Sequence, residues 1–122
     1  MVVEISSYIA VINQFSQKDA HKIALAVDEA ITNVIEHSYL NSEEGSIILE
    51  FFSSHKGLKI IIVFNGIPPV MDNFPVDLNE MIKKKKKGGL GVQLIRRIMD
   101  SVEYKTTNDI NYCEMVKWKT KN

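Results

Sequence analysis

Apolar residues recur at helical spacing through the first third of the chain. The repeat consists of Ala20, Ile23, Val27, Ile31 and Val34. Positions three and four apart lie on one face of a helix, so this spacing predicts a long helix from about Lys18 to Ser38. A shorter helix is predicted before it, from Ile5 to Phe15. The chain is therefore expected to open with two helices.

The hydrophobic pattern changes after residue 45. The stretches SIILEFF (46–52) and LKIIIVF (58–64) are rich in β-branched and aromatic residues, which favour strands. The segment HKG (55–57) separates them, as turn residues do between paired strands. The two stretches are therefore predicted to form a β-hairpin.

The remaining pattern predicts one more helix and two more strands. A loop with three prolines and a short helical turn around Leu78–Ile82 precede the segment LGVQLIRRIMDSV (90–102), which has helical spacing. The segments VEYKT and NYCEMVKWK then predict strands on either side of a polar turn at Asn108–Asn111. This order of elements predicts an α+β fold, a two-layer sandwich in which helices cover one face of a mostly antiparallel sheet.

Composition limits what kind of protein this is. The chain has 122 residues, of which 45% are hydrophobic, so residues 1–122 are expected to form one domain with a single core. A net charge of zero gives no overall indication of nucleic-acid binding. No stretch approaches the roughly 18 consecutive apolar residues of a membrane span, and no signal peptide is expected because the first residues lack the basic and apolar pattern of one. The single cysteine, Cys113, cannot form an internal disulfide, so a reducing cytoplasm is the expected location.

Five lysines and then three glycines within four residues lead into the third helix, in KKKKKGGLG (83–91). Glycine allows a backbone to approach a ligand closely, and a helix N-terminus holds anions through its free N–H groups. The segment therefore suggests a phosphate site. An ordinary solvated loop with glycine punctuation is the alternative.

A carboxylate and a carboxamide lie one turn apart on the long helix. Glu29 and Asn33 are four residues apart, so they share a helix face, which is expected to lie opposite the apolar stripe. The carboxylate can polarise a hydroxyl or water, and the amide oxygen can help to hold Mg²⁺. A solvated helix face without chemistry is the alternative interpretation. Asp28 points about 100° away from Glu29 and is interpreted as a surface charge.

Three segments resemble the nucleotide-binding motifs of a known superfamily and occur in the same order and spacing as those motifs. DEAITNVIEH (28–37), FNGIPP (64–69) and GGLGVQLIRRIMDSVEY (88–104) are similar to the N, G1 and G2 boxes of the Bergerat-fold (GHKL, HATPase_c) ATPases. The last segment is most similar to the anti-sigma-factor serine kinases of bacterial partner-switching systems. The resemblance extends from about Ala20 to Lys117 and implies the Bergerat ATP-binding fold.

The resemblance also implies cofactors and site residues. ATP and Mg²⁺ would be the cofactors, with Glu29 as the general base and Asn33 as the residue that holds Mg²⁺ and nucleotide. Residues 76–88 would form a lid over the nucleotide. The other nucleotide-binding residues would be Asn65, Gly66, Lys87, Gly88, Gly89, Leu90 and Gly91.

The G1 box departs from the family pattern at its first position. Family members have an aspartate there, whose carboxylate accepts a hydrogen bond from the adenine amino group, whereas this chain has Phe64. An unpaired amino group in a buried pocket costs about 1–3 kcal/mol, which is roughly 5- to 150-fold in affinity. Asn65 offers a substitute acceptor. In the last strand, where the family has a threonine or serine near the adenine, the nearest positions are Cys113 and Glu114.

Two function classes remain open. The first is an ATP-dependent serine kinase that phosphorylates a small STAS-type anti-sigma antagonist and otherwise sequesters a sigma factor. The second is a Bergerat domain that has lost strong nucleotide binding and regulates by protein contact alone. Intact Glu29 and Asn33 favour the enzyme, and Phe64 favours the binding module. The resemblance further implies a homodimer, for which the apolar segment VVEISSYIAVI (2–12) offers a surface.

Overall fold

Residues 8–39, 45–67 and 89–119 are described by a computed structural model of the chain, and the structural statements below concern these ranges. The predicted lid at 76–88 and the helical turn predicted around Leu78–Ile82 lie outside them. None of the helices in the described ranges is long and apolar enough to cross a membrane.

The long helix α1 spans Gln17–Asn33, and its start is set by a side-chain cap. The hydroxyl of Ser16 accepts a hydrogen bond from the backbone N–H of Asp19 at 3.1 Å, which satisfies one of the free N–H groups of the first turn. The helix continues as a π-helix over Val34–Ser38. The predicted extent to Ser38 is therefore right, but its last turn is wider than an α-helix because the Tyr39 N–H donates to the carbonyl of Val34, five residues back.

The N-terminal helix ends earlier than the pattern predicts. Residues 8–12 are helical, and a turn follows in which Gln14 has a φ of 67°. The Phe15 N–H donates to the carbonyl of Ala10 at 3.0 Å, which closes this turn and sends the chain into α1. The prediction of helix up to Phe15 is wrong by three residues, and residues 5–7 lie outside the described ranges.

Four strands form one antiparallel sheet. The strands are β1 (Ile47–Ser53), β2 (Gly57–Phe64), β3 (Ser101–Thr107) and β4 (Ile110–Trp118). Their order is β1-β2-β4-β3, and each neighbouring pair is antiparallel, which confirms both predicted hairpins. The second hairpin turns on two residues only, Asn108 and Asp109, which both have positive φ, as a tight two-residue hairpin turn requires.

Helix α2, which follows β2, spans Gly89–Ile98 and ends four residues before the predicted end at residue 102. The side chain of Lys117 donates to the carbonyl of Ile98 at 2.9 Å, and the Asp100 N–H donates to the carbonyl of Val116 at 2.8 Å. Strand β4 thus binds the chain directly after α2. Because residues from Ser101 onward pair with β4, they form strand β3 and not the last turn of the predicted helix.

Helices cover one face of the sheet, as the α+β two-layer prediction requires. Buried residues of α1 and α2 form a single cluster with the inward side chains of all four strands. On β2 the alternate residues Leu58, Ile60, Ile62 and Phe64 are all buried, because side chains of a strand point to opposite faces in turn. The intervening side chains lie on the other face, called the outer face below.

Truncating an isoleucine should cost stability on one face of the sheet only. Ile62→Ala removes a fully buried side chain and should lower the free energy of unfolding by about 2–5 kcal/mol. Ile48→Ala is the matched control, because Ile48 lies on the outer face with 58% of its surface exposed, and it should cost less than about 1 kcal/mol. Urea unfolding of both variants measures the difference. Equal losses would contradict the assignment of the covered face.

Candidate functional site

A sharp turn follows β2 and contains the predicted nucleotide-binding residues Asn65 and Gly66. We call residues 65–67 the G1 turn. Gly66 has a φ of +95°, a conformation that favours glycine, and a Cβ at this position would collide with the carbonyl oxygen of Ser38. The glycine is therefore required both by its backbone conformation and by close contact with the end of the π-helix.

The G1 turn is held by three hydrogen bonds from three different parts of the chain. The Ile67 N–H donates to the Ser38 carbonyl at 3.0 Å, and the Asn65 N–H donates to the Tyr39 hydroxyl at 2.7 Å. The side-chain amide of Asn111 donates to the Gly66 carbonyl at 3.2 Å. The end of the π-helix, Tyr39 and β4 thus fix the turn together.

Phe64, which stands where the family has its adenine-binding aspartate, belongs to the hydrophobic core. It is the last residue of β2, and its side chain is 2% exposed within the main apolar cluster. Its cross-strand neighbours on the same face are Ile47 and Asn111. An apolar ring therefore occupies the position at which a carboxylate would have to meet a ligand or water.

Glu29 and Asn33 lie at the border of the buried stripe of α1, and not on the side opposite to it as the sequence predicted. Each follows a fully buried alanine by three positions, Ala26 and Ala30 respectively, and both side chains are half-buried. The reason is that small alanines widen the covered face of α1 beyond the stripe of larger residues. Asp28, interpreted as a surface charge, is half-buried as well.

The amide of Asn33 has an unsatisfied donor. Its Nδ2 atom is buried, and among the described residues it is the one buried side-chain polar atom without a hydrogen bond. Leaving a buried donor unpaired costs about 1–3 kcal/mol, and native structures rarely keep such a group without a reason such as a bound ligand. Asn33 is also the last residue before the π-helix, and a break of this kind in an α-helix is frequently found at functional sites.

The predicted phosphate residues are only partly within the described ranges. Gly89, Leu90 and Gly91 form the first turn of α2, which is the position expected for a helix N-terminus that holds phosphates. Helix α2 packs against α1, the helix that carries Glu29 and Asn33. Lys87 and Gly88 lie outside the described residues.

The last strand carries different polar groups from those that the sequence suggested. Cys113 is fully buried, and this burial raises the pKa of its thiol to about 12, so the thiol stays protonated at neutral pH. Glu114 lies on the outer face, where it pairs with Lys59 at 3.2 Å and with Lys105 at 3.8 Å. Neither residue offers a free polar group at the G1 turn.

A polar pair that was not predicted from the sequence lies beside the G1 turn. The Thr106 hydroxyl donates to the Asn111 side-chain oxygen at 2.8 Å, and the same Asn111 bonds to the turn. The signal in the sequence was the alternation of β4, which places Asn111 on the same face as the buried Cys113 and Met115. An asparagine at a buried strand position needs partners, and only the strand pairing identifies them.

Comparisons with known proteins agree with the motifs. The family model described as histidine kinase-like ATPase domain matches residues 2–117. Serine-protein kinase RsbW of Halalkalibacterium halodurans is 36% identical over 101 residues, which cover 79% of this chain and 61% of that protein. Serine-protein kinase RsbW of Listeria monocytogenes is 31% identical over 94 residues, covering 73% of this chain and 60% of that protein. The chain thus spans about three fifths of the length of these relatives.

A solved structure shows the same fold. The histidine kinase domain of the blue-light activated histidine kinase EL346 from Erythrobacter litoralis superposes with a TM-score of 0.61 at 16% sequence identity. The match covers 95% of this chain and 62% of that one. At this identity the similarity establishes the architecture, which agrees with the α+β sandwich observed here.

Replacing the core ring at the aspartate position should destabilise the protein. Phe64→Asp removes a buried aromatic side chain and puts a carboxylate in apolar surroundings, so the free energy of unfolding should fall by about 3–5 kcal/mol. Phe52→Asp is the matched control on the outer face, where the ring is 51% exposed, and it should cost less than about 1 kcal/mol. Denaturant unfolding measures both. A Phe64→Asp variant of unchanged stability that binds ATP more tightly would contradict the core assignment.

Proposed function

From the premise that the chain belongs to the histidine kinase-like ATPase domain family, we propose that it is an anti-sigma-factor-type regulator with serine-protein kinase activity. Its substrate would be a serine of a small STAS-type antagonist, and ATP with Mg²⁺ would be its cofactors. The similarity to serine-protein kinases supports the activity, and the chain spans about three fifths of their length.

The unsatisfied amide of Asn33 is the observation that carries this proposal. A bound Mg-nucleotide would relieve it, because Nδ2 can donate to a phosphate oxygen while Oδ1 coordinates Mg²⁺. Mg²⁺ commonly takes its remaining ligands from water and from substrate phosphates, so a single protein oxygen is a reasonable contribution. The residues present therefore fit the cofactor.

Glu29 would act as the general base. Its carboxylate is half-buried and lies one helical turn before Asn33. Such a group can accept the proton of an incoming serine hydroxyl. When bound, Mg-ATP would supply the phosphoryl group that is transferred, and positioning and charge neutralisation would provide most of the catalysis.

The remaining nucleotide contacts divide between the two ends of the ligand. Backbone N–H groups of Gly89, Leu90 and Gly91 in the first turn of α2 would hold phosphates, together with Lys87 and Gly88. At the base end, Gly66 allows the G1 turn to lie against Ser38, and the exposed Asn65 would offer its side-chain oxygen to the adenine amino group. Residues 76–88 would close over the nucleotide.

The partners and location follow from the same proposal. The protein would bind a sigma factor and a STAS-type antagonist in the cytoplasm, and residues 1–122 would form one domain. It would act as a homodimer through its N-terminal segment. Tyr8, Val11 and Ile12 support such a contact, because these large apolar side chains are exposed on the part of the segment that the structure describes.

A degenerate domain that regulates by protein contact alone is the second candidate. The burial of Phe64 favours it, because the ring removes the usual acceptor for adenine and fills its place with core. The two candidates differ in whether ATP is bound and its phosphate transferred, so phosphate transfer by the wild-type protein separates them.

Glu29→Gln should reduce phosphate transfer to the antagonist at least about 100-fold, with nucleotide affinity nearly unchanged, because a general base acts on the nucleophile. Asn33→Ala should weaken Mg-nucleotide binding as well. Asp28→Asn, one residue before Glu29 on the same helix, is the matched control and should retain transfer. Incorporation of labelled phosphate into a purified STAS-type antagonist measures all three variants.

One outcome of this assay would contradict the role of Glu29, and another would contradict the kinase activity. Full transfer by Glu29→Gln would exclude Glu29 as the base. A wild-type protein that transfers no phosphate yet binds its sigma factor would support the protein-contact candidate instead.

A further inference from the structure

Asn111 is a polar residue beside the buried Cys113 and Met115 on the inner face of β4, and it is 1% exposed. Burying a carboxamide is unfavourable unless its donor and acceptor are both paired. Both are paired here. The oxygen accepts from Thr106, its direct cross-strand partner on β3, and the nitrogen donates to the Gly66 carbonyl.

The Gly66 carbonyl can only accept, so it fixes which way the Asn111 amide faces, and the Thr106 hydroxyl anchors the other end of that amide. A hydroxyl can donate or accept, and here it donates to the amide oxygen, which holds the amide in place with its nitrogen on the side of the G1 turn. The nitrogen then has the donor that the Gly66 carbonyl needs, at 3.2 Å. The orientation of a turn at the end of β2 thus depends on a hydroxyl two strands away, because β4 lies between β2 and β3.

Asn111 also borders the altered position of the G1 box. It pairs directly with Phe64 across β2 and β4, so its side chain lies beside the core ring that replaces the family's aspartate. The residue after Phe64 is Asn65, whose side chain is exposed and whose backbone N–H is held by Tyr39. Where that side chain points is therefore decided by how the turn is held.

We propose that Asn111, anchored by Thr106, is a positioning residue that fixes the G1 turn and thereby sets how well Asn65 recognises the amino group of an adenine base. The inference rests on the proposed nucleotide site and adds to it a specificity determinant on the neighbouring strands. In the absence of the aspartate, recognition of the base depends on the direction of the Asn65 side-chain amide. This direction depends in turn on the hydrogen bonds that join Thr106, Asn111 and Gly66.

The test compares ATP with purine riboside triphosphate, which lacks the 6-amino group and is otherwise the same ligand. Thr106→Val removes the hydroxyl and keeps the shape of the side chain. The affinity for ATP should fall roughly 3- to 10-fold, and the ratio of the two affinities should move toward one. Titration calorimetry with both Mg-nucleotides measures the ratio.

Two variants serve as controls. Thr107→Val makes the same change one residue later on β3, where the side chain lies on the opposite face, and it should keep the wild-type ratio. Thr106→Ser retains a hydroxyl and should restore the ratio that Thr106→Val loses. A general loosening of the fold would weaken both nucleotides equally and leave their ratio unchanged.

The possible failures are distinguishable. If wild-type protein prefers ATP and Thr106→Val keeps the same ratio, Asn111 does not position the base site and this inference is wrong. If wild-type protein binds neither nucleotide, the proposed function fails and this inference fails with it.

Discussion

Burial of one face of the sheet beneath α1 and α2 decides where every other side chain of the strands can point. Side chains alternate along a strand, so covering Leu58, Ile60 and Ile62 commits Phe64 to the same covered face. At this position an aspartate would need a ligand or water to satisfy its charge, whereas a phenyl ring needs only apolar neighbours. The same sheet position can therefore line a nucleotide pocket when it carries an aspartate, and it belongs to the core in this chain, where it carries Phe64.

The two ends of the proposed nucleotide site differ in how completely their groups are packed and hydrogen-bonded within the protein. At the base end, Phe64 is packed in the core, and the G1 turn is bound by Ser38, Tyr39 and Asn111. On α1, by contrast, the amide of Asn33 remains buried and unpaired. An unpaired buried donor is unfavourable in the free protein, and a ligand that pairs it would recover that free energy. This contrast favours weakened nucleotide binding over its complete loss.

Local pattern predicted the elements of this fold well, but it could not predict contacts between them. Apolar spacing in α1 and β-branched runs in β1 and β2 are properties of short segments, and these elements are observed as predicted. The end of α2 was misplaced because pairing with β4 captures Asp100 and Ser101, and no local signal reports that pairing. The Thr106–Asn111 pair was missed for the same reason. The replacement of the family's aspartate by Phe64 is evident from the sequence, but the burial of its ring follows only from which sheet face is covered.

Titration calorimetry of the wild-type protein with Mg-ATP shows whether the proposed nucleotide site persists although a buried phenylalanine replaces its adenine aspartate. We predict binding that requires Mg²⁺ and is roughly 5- to 150-fold weaker than that of a family member with the aspartate, measured in parallel. Absence of binding at millimolar nucleotide would contradict the proposed nucleotide site. Affinity equal to that of the aspartate-bearing protein would contradict the predicted weakening, because the buried Phe64 would then carry no cost.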